Sequence, residues 1–314
     1  MYETNMHEDV RQPHVWIDGE LVAWDDATVH ILSLGWSTIS GLFESMRCYW
    51  NDDQQQLYAW QLPDHYKRFI KSQKMVRSEP GFTAEQLTHA AVELLRANNA
   101  KESQGLRCYC YHKDVTWFGA NPGEAVSTYM QSVPAKSMMG ANKVVAACIS
   151  NWKRLSDNSM SPRIKCFSNY QNSRMAWLDA KMNGYDHAIL LNENGYAAEG
   201  AFMCLCMVRD GVLITPDISS GILESCTRRA VLQVASEALG ITVVERPVNR
   251  SEMYMCDELF FCGTGAEIMP VGSVDKHEIG DGVIGPVSQK IYDTFCDLMF
   301  GRDERYPEWR IPIY

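Results

Sequence analysis

The sequence predicts an α+β protein built as two domains, and three observations carry that expectation. The first third reads strand, helix, strand. The second half is a run of short strands joined by Asn-Gly and Asp-Gly turns. Between them lies a stretch without periodicity, residues 132–141, rich in Ser, Pro and Gly. A boundary there gives a small α+β domain over residues 1–133, a linker over 134–142 and a larger domain over 143–314. The 314-residue length, about twice that of a typical domain, accommodates the division.

Each element has a local reason. Residues 15–18 and 20–23 flank a hairpin turn, and residues 42–49 have β-leaning composition. Residues 64–76 space their apolar positions as an amphipathic helix behind Pro63, and residues 83–98 form a second helix opened by Thr83. Residues 106–112 return as a strand. In the second half, residues 143–149 read as a strand and residues 171–182 as a helix closed by Asn183-Gly184. Strands follow at 187–191, 196–198, 203–208 and 212–215. A helix over 226–239 ends at Gly240, a strand over 258–262 runs into Gly263-Thr264-Gly265, and a last helix covers 286–300.

Composition excludes several function classes. With 29 Lys+Arg against 39 Asp+Glu the net charge is −10, which argues against a nucleic-acid binder. No apolar run approaches the roughly 20 residues that span a bilayer, and residues 1–10 lack the apolar core of a secretory signal, so a cytoplasmic protein is expected. The 11 cysteines form no CxxC pair. Cys108 and Cys110, like Cys204 and Cys206, stand one residue apart in apolar runs, which places each pair on one face of a strand. Reduced buried thiols are expected, with no metal site.

HExxH, GxSxG and GxxxxGK[ST] motifs are absent. Two segments read as anion cradles. Ser219-Ser220-Gly221 leads through Ser225-Cys226-Thr227 into a helix N-terminus, and Gly263-Thr264-Gly265 forms a turn at a strand end.

A set of ordered motifs then points further: Trp16 to Val22, Phe43-Glu44-Ser45-Met46-Arg47-Cys48-Tyr49, His65-Tyr66-Lys67-Arg68-Phe69, Lys165 to Tyr170, Gly195 to Gly200, Thr227-Arg228 and Gly263 to Glu267. In order and over nearly the whole chain, they resemble the fold-type IV pyridoxal-phosphate (PLP) enzymes, in particular the branched-chain aminotransferases. The resemblance implies a two-domain, D-amino acid aminotransferase-like fold, pyridoxal 5'-phosphate as cofactor and a homodimer or higher homo-oligomer. It also implies residue roles. Lys165 matches the lysine that bonds the cofactor as a Schiff base, an amine that neighbouring cations and burial would bring toward neutrality. Glu199 matches the acid facing the pyridine nitrogen, and Tyr170 the donor to the ring's 3′ oxygen. Arg68, Thr227 and Thr264 match the phosphate grip, with the Cys226 backbone N–H beside them. Phe43, Arg47, Arg107, Gly265, Ala266 and Thr38 match substrate-pocket positions, Arg107 being the carboxylate receiver. In a dimer, Thr38 and residues 116–121 would lie near the partner's site.

The chain departs from that pattern in the substrate pocket. Thr38, Gly105, Ala135 and Met138 stand where the family carries aromatics, and Phe202-Met203-Cys204 stands where Gly-Glu-Asn is common. Each lost aromatic gives up about 150–250 Å² of contact surface. The expected activity is therefore transfer of an amino group between an amino acid, other than a simple branched-chain one, and a 2-oxo acid. The alternatives are a lyase of the aminodeoxychorismate type, a conventional branched-chain aminotransferase and a non-catalytic ligand-binding relative.

Overall fold

The computed structural model describes residues 11–29, 39–112, 123–124, 126–139 and 143–314, in two compact units. The first contains β1 (His14–Ile17), β2 (Glu20–Ala23), β3 (Leu42–Asn51), β4 (Gln56–Trp60), α1 (Leu62–Met75), α2 (Ala84–Ala97), β5 (Gln104–Tyr111) and β6 (Ser127–Pro134). Its sheet is antiparallel throughout, in the order C-terminal strand Arg310–Pro312, β4, β3, β5, β6, β1, β2.

Alternation along β5 sets the two faces of this sheet. Leu106, Cys108 and Cys110 are buried, whereas Gly105, Arg107, Tyr109 and Tyr111 occupy the opposite, more accessible side. The two helices serve the buried side: Tyr66 and Phe69 of α1 and Leu87, Ala91 and Leu94 of α2 are fully enclosed, and the Tyr66 hydroxyl donates to Met130 Sδ at 3.1 Å. Helix α2 opens with a capping box, in which Thr83 Oγ1 accepts from the Gln86 N–H and Gln86 Oε1 accepts from the Thr83 N–H. Replacing Thr83 by Ala is expected to lower unfolding free energy by about 1 kcal/mol, measurable as an earlier urea midpoint with an unchanged slope.

Two departures from the sequence-based boundaries matter. The expected contiguous domain over 143–314 surrenders Lys165–Ser168 and Met299–Tyr314 to the first unit, which otherwise runs to Ser137. Backbone pairing is the cause. The N–H of Phe43 donates to Lys165 O at 3.0 Å, the N–H of Phe167 donates to Gly41 O at 3.1 Å, and Leu42 bridges Cys166. The edge of β3 is available for this because β4 pairs only with Cys48 to Asn51. At the other end of the chain, Arg310–Pro312 adds to β4 and buries Ile313.

The second unit contains β7 (Val145–Ile149), most of α3 (Phe167–Met182), β8 (His187–Leu191), β9 (Ala197–Gly200), β10 (Cys204–Arg209), β11 (Val212–Thr215), α4 (Cys226–Gln233), β12 (Val243–Glu245), β13 (Glu258–Gly263), β14 (Glu267–Val274), β15 (His277–Glu278) and α5 (Pro286–Met299). The sheet runs β12, β11, β10, β13, β14, β7, β8, β9, with β15 on β14. It is mixed: β11/β12, β14/β7 and β7/β8 are parallel. Ile189, Leu205, Met207, Leu259, Phe261 and Val271 form its core. The helix expected over 226–239 is α-helical only to Gln233 and widens into a π turn over Val234–Ala238 before Gly240. Strand β14 escapes sequence reading because Pro270 and Gly272 break its pattern. All 11 cysteines are free thiols, with Cys108, Cys110, Cys204 and Cys206 buried.

Candidate active site

The pairing of residues 165–167 with β3 determines where the Lys165 amine goes. Cys166 bridges Leu42, so by alternation Lys165 and Phe167 project on the side occupied by Phe43. Lys165 Nζ lies 4.8 Å from the Phe43 ring centroid, and the Phe167 ring stacks on Phe43 at 5.0 Å. The β-ladder extends this aromatic surface: Phe43 pairs with Tyr109, and Tyr109 with Tyr129. Tyr109 stacks on Tyr129 at 4.7 Å and on Phe167 at 5.9 Å. One row along, Ser45, Arg107 and Gln131 are aligned, so the amine, the aromatic row and the Arg107 guanidinium share one face of the sheet. Arg47 is on the same strand as Phe43; its Nη2 donates to Lys136 O at 2.6 Å.

Glu44, the next residue on β3, belongs to a buried charge cluster that feels the Lys165 charge. Glu44, wholly enclosed, accepts from Arg68 Nε at 2.8 Å and from Arg68 Nη2 at 2.7 Å, and pairs with His65 Nδ1 at 2.8 Å. Burial alone would raise its pKa, but the Arg68 charge and the hydrogen bonds from His65 and Arg68 overcome it and hold the carboxyl at about 2. Burial lowers the pKa of His65, with Glu44 opposing and the charges of Arg68 and Lys165 reinforcing. With Nδ1–H donated to the carboxylate, His65 Nε2 is left as an acceptor, buried without a partner among the described residues. Asp64, one turn before Arg68 on α1, meets Lys67 at 4.0 Å.

In the second unit, Glu199 is on β9 and only 6% exposed; its carboxylate accepts from Arg154 Nε at 2.8 Å and from the Leu223 N–H at 3.1 Å. The next residue has to be glycine, since a Cβ on Gly200 would stand 2.9 Å from the Phe261 ring. Tyr170, on α3, stacks on Phe202 at 6.0 Å, and Phe202 also meets Trp177 at 6.2 Å. The bulky residue after Glu199-Gly200-Ala201 thus backs Tyr170. Cys226 and Thr227 open α4, capped by Ser225 Oγ, which accepts from the Arg228 N–H. Ser219 and Ser220 correct the sequence-based cradle: both hydroxyls donate to Asp217, so its anion-binding capacity rests on the α4 N-terminus. Thr264, Gly265 and Ala266 form the tip of the β13/β14 hairpin, and a Cβ on Gly265 would meet nothing within 4 Å. Behind this tip, Glu267 holds a left-handed backbone (φ 56°) and accepts from the N–H groups of Met138 and Met139.

Within the first unit the structure brings together Lys165, Phe43, Arg107 and the Arg68 cluster; the second holds Glu199, Tyr170, Cys226, Thr227 and the Thr264–Ala266 tip. Thr38 and residues 116–121 lie outside the described residues. Sequence reading missed His65, Glu44, Arg154 and Glu267 as functional candidates. His65 and Glu44 were visible inside the ordered motifs, but nothing local marks them as a pair.

The donor set suits a phosphorylated aldehyde cofactor. In the first unit an amine matches its aldehyde; in the second a buried carboxylate held by a guanidinium matches its ring nitrogen, and a helix N-terminus with a threonine and a turn with open space at Gly265 match its phosphate. Comparisons with known proteins agree. Residues 41–274 match the family described as amino-transferase class IV. A probable branched-chain-amino-acid aminotransferase of Aquifex aeolicus is 34% identical over 303 residues, covering 95% of this chain and 96% of that protein. A crystal structure of the branched-chain amino acid aminotransferase from Thermobaculum terrenum in PLP form superposes with a TM-score of 0.94 at 38% identity, covering 97% of this chain and 99% of that one. The T.th. branched-chain amino acid aminotransferase complexed with N-(5'-phosphopyridoxyl)-L-glutamate gives 0.89 at 30% identity, with 97% and 100% coverage. The molecule is an aminotransferase of the α+β, fold-type IV class. More particularly, the chain belongs to the amino-transferase class IV family. Among the described residues no helix is long and apolar enough to cross a membrane.

Proposed function

We propose that this PLP-dependent enzyme moves an amino group from an amino acid with a large, flat side chain to a 2-oxo acid, as a cytoplasmic homodimer. One observation carries the substrate reading. The face that presents Lys165 carries Phe43, Tyr109 and Tyr129 in one row and Arg107 in the next. The aromatics absent at 38, 105, 135 and 138 are thereby offset by an aromatic shelf elsewhere, which favours stacking over the rounded envelope that fits a branched aliphatic chain.

When bound, pyridoxal 5'-phosphate supplies an aldehyde that receives the amino group and a ring that takes up the electron pair left at the substrate Cα. The chain does the rest. Lys165 Nζ would take the proton from the substrate Cα and pass it to the former aldehyde carbon. Glu199 would keep a proton on the ring nitrogen, and Tyr170 would bond the 3′ oxygen. Arg68 of the first unit, and Thr227, Thr264 and the Cys226 N–H of the second, would hold the phosphate, and Arg107 would receive a carboxylate of the 2-oxo acid, consistent with the glutamate adduct of the T.th. relative.

The test is a half-reaction screen, following the conversion of the bound cofactor to its amine form with a panel of amino acids. Phenylalanine, tyrosine or another flat-chain donor should exceed leucine, isoleucine and valine by at least about tenfold, the worth of one well-used pocket contact. Leucine as the best donor would sink the substrate reading and leave the aminotransferase intact.

A further inference from the structure

We propose that Arg154 is a positioning residue that fixes the Glu199 carboxylate and ties it to the loop running into α4, so that the ring-nitrogen end and the phosphate end of the cofactor site keep one spacing. The inference rests on the role given above to Glu199.

Arg154 is almost wholly enclosed, with 2% of its side chain exposed, against 8% for Glu199. Its backbone N–H donates to Leu191 O at 2.8 Å, which secures the residue to the end of β8. Its Nε stands 2.8 Å from Glu199 Oε1 and 3.3 Å from Gly221 O. The other carboxylate oxygen, Oε2, accepts from the Leu223 N–H. Arginine and glutamate together therefore hold the loop at Gly221 and Leu223, and that loop reaches Ser225, the cap of the helix on which Cys226 and Thr227 sit. One planar side chain thus fixes a carboxylate rotamer and the approach to a helix N-terminus.

The pair's chemistry argues for a role beyond packing. Enclosing a guanidinium and a carboxylate is repaid only when geometry and hydrogen bonding are nearly complete. Here Arg154 Nη1 is buried without a partner among the described residues, a cost a purely structural ion pair would avoid. What the arrangement does provide is a positive charge set against the enclosed Glu199, which favours the ionised carboxylate. An ionised carboxylate holds a proton on a facing pyridine nitrogen, and a protonated carboxyl does not.

The test compares wild type with Arg154→Met, Arg154→Lys, Glu199→Gln and the Arg154→Met/Glu199→Gln double variant. Apoprotein is titrated with pyridoxal 5'-phosphate and followed by tryptophan fluorescence, and the ring nitrogen is read by NMR with ring-15N-labelled cofactor. Arg154→Met should raise the dissociation constant about 10–100-fold, the fold-change that corresponds to losing one hydrogen bond to a charged group. It should also shift the 15N signal from the protonated toward the unprotonated position. Arg154→Lys, which keeps the charge without the planar fork, should fall between. The double variant should bind no more weakly than Glu199→Gln alone, because both act through one contact. If Arg154→Met does not fold, the Lys variant alone must show both shifts. An unchanged dissociation constant and 15N signal in the folded variants would overturn the proposal, as would full additivity in the double variant. If Glu199→Gln itself leaves the 15N signal untouched, the role of Glu199 fails first and independently.

Discussion

Lys165→Ala should abolish transamination, lowering the rate of the first half-reaction by about four orders of magnitude, the upper end expected for one positioned acid–base group. The reason is location as much as chemistry. Lys165 Nζ stands over the Phe43 ring on the sheet face that also bears Arg107. The groups aligned around it there, an arginine and the tyrosines of the aromatic row, are poor bases near neutral pH and cannot take the proton in its stead. Two measurements check it. Single-turnover absorbance with an amino donor should show no conversion on the wild-type timescale. Borohydride should leave cofactor mass on the wild-type polypeptide and none on the variant. A variant that turns over within tenfold of wild type would end the account of the site. Folding should be unaffected, because the backbone pairing of residues 165–167 with β3 needs no side chain from Lys165.

The second large effect belongs to stability. Glu44→Ala should cost about 3–5 kcal/mol, because it removes the enclosed carboxylate that Arg68 and His65 both bond. Its pH dependence has a definite sign. The folded-state pKa of Glu44, about 2, lies below the ordinary 4.5. Its contribution is therefore complete above pH 4.5 and is lost as pH falls toward 2, a difference of about 3 kcal/mol. His65 acts in the same direction and begins earlier. Its pKa is lowered by burial from 6.5, so below pH 6.5 the unfolded chain gains a proton that the folded chain refuses. Urea unfolding from pH 7 to pH 3 should show wild type losing stability continuously, with the gap between wild type and Glu44→Ala narrowing below pH 4.5. A gap constant across that range would show that Glu44 is not ionised in the fold. Arg68 should also lose its orientation in this variant, so weaker cofactor binding is expected to accompany the loss of stability.

How far the sequence could be read depended on whether a signal is local. The Thr83 capping box, the alternation that buries Cys108 and Cys110, and the Gly263–Glu267 turn are each set by neighbours within a few residues, and each was legible in the chain. The ordered motifs that revealed the family were legible for a different reason: they occur in family order along the chain, and the family match over residues 41–274 spans all but the first of them.

What the chain alone could not convey is what distant segments do to one another. Sequence composition shows aromatics missing from four pocket positions. Only strand register, which aligns Phe43, Tyr109 and Tyr129 and lays Phe167 on them, reveals an aromatic surface in another place. Likewise Glu44 and Arg68, 24 residues apart, become one buried cluster, and Arg154 reaches Glu199 across 45 positions. Side-chain chemistry and short-range hydrogen bonding determined which residues could react. Long-range backbone pairing, whose energy depends on segments that meet only after folding, decided which of them face each other.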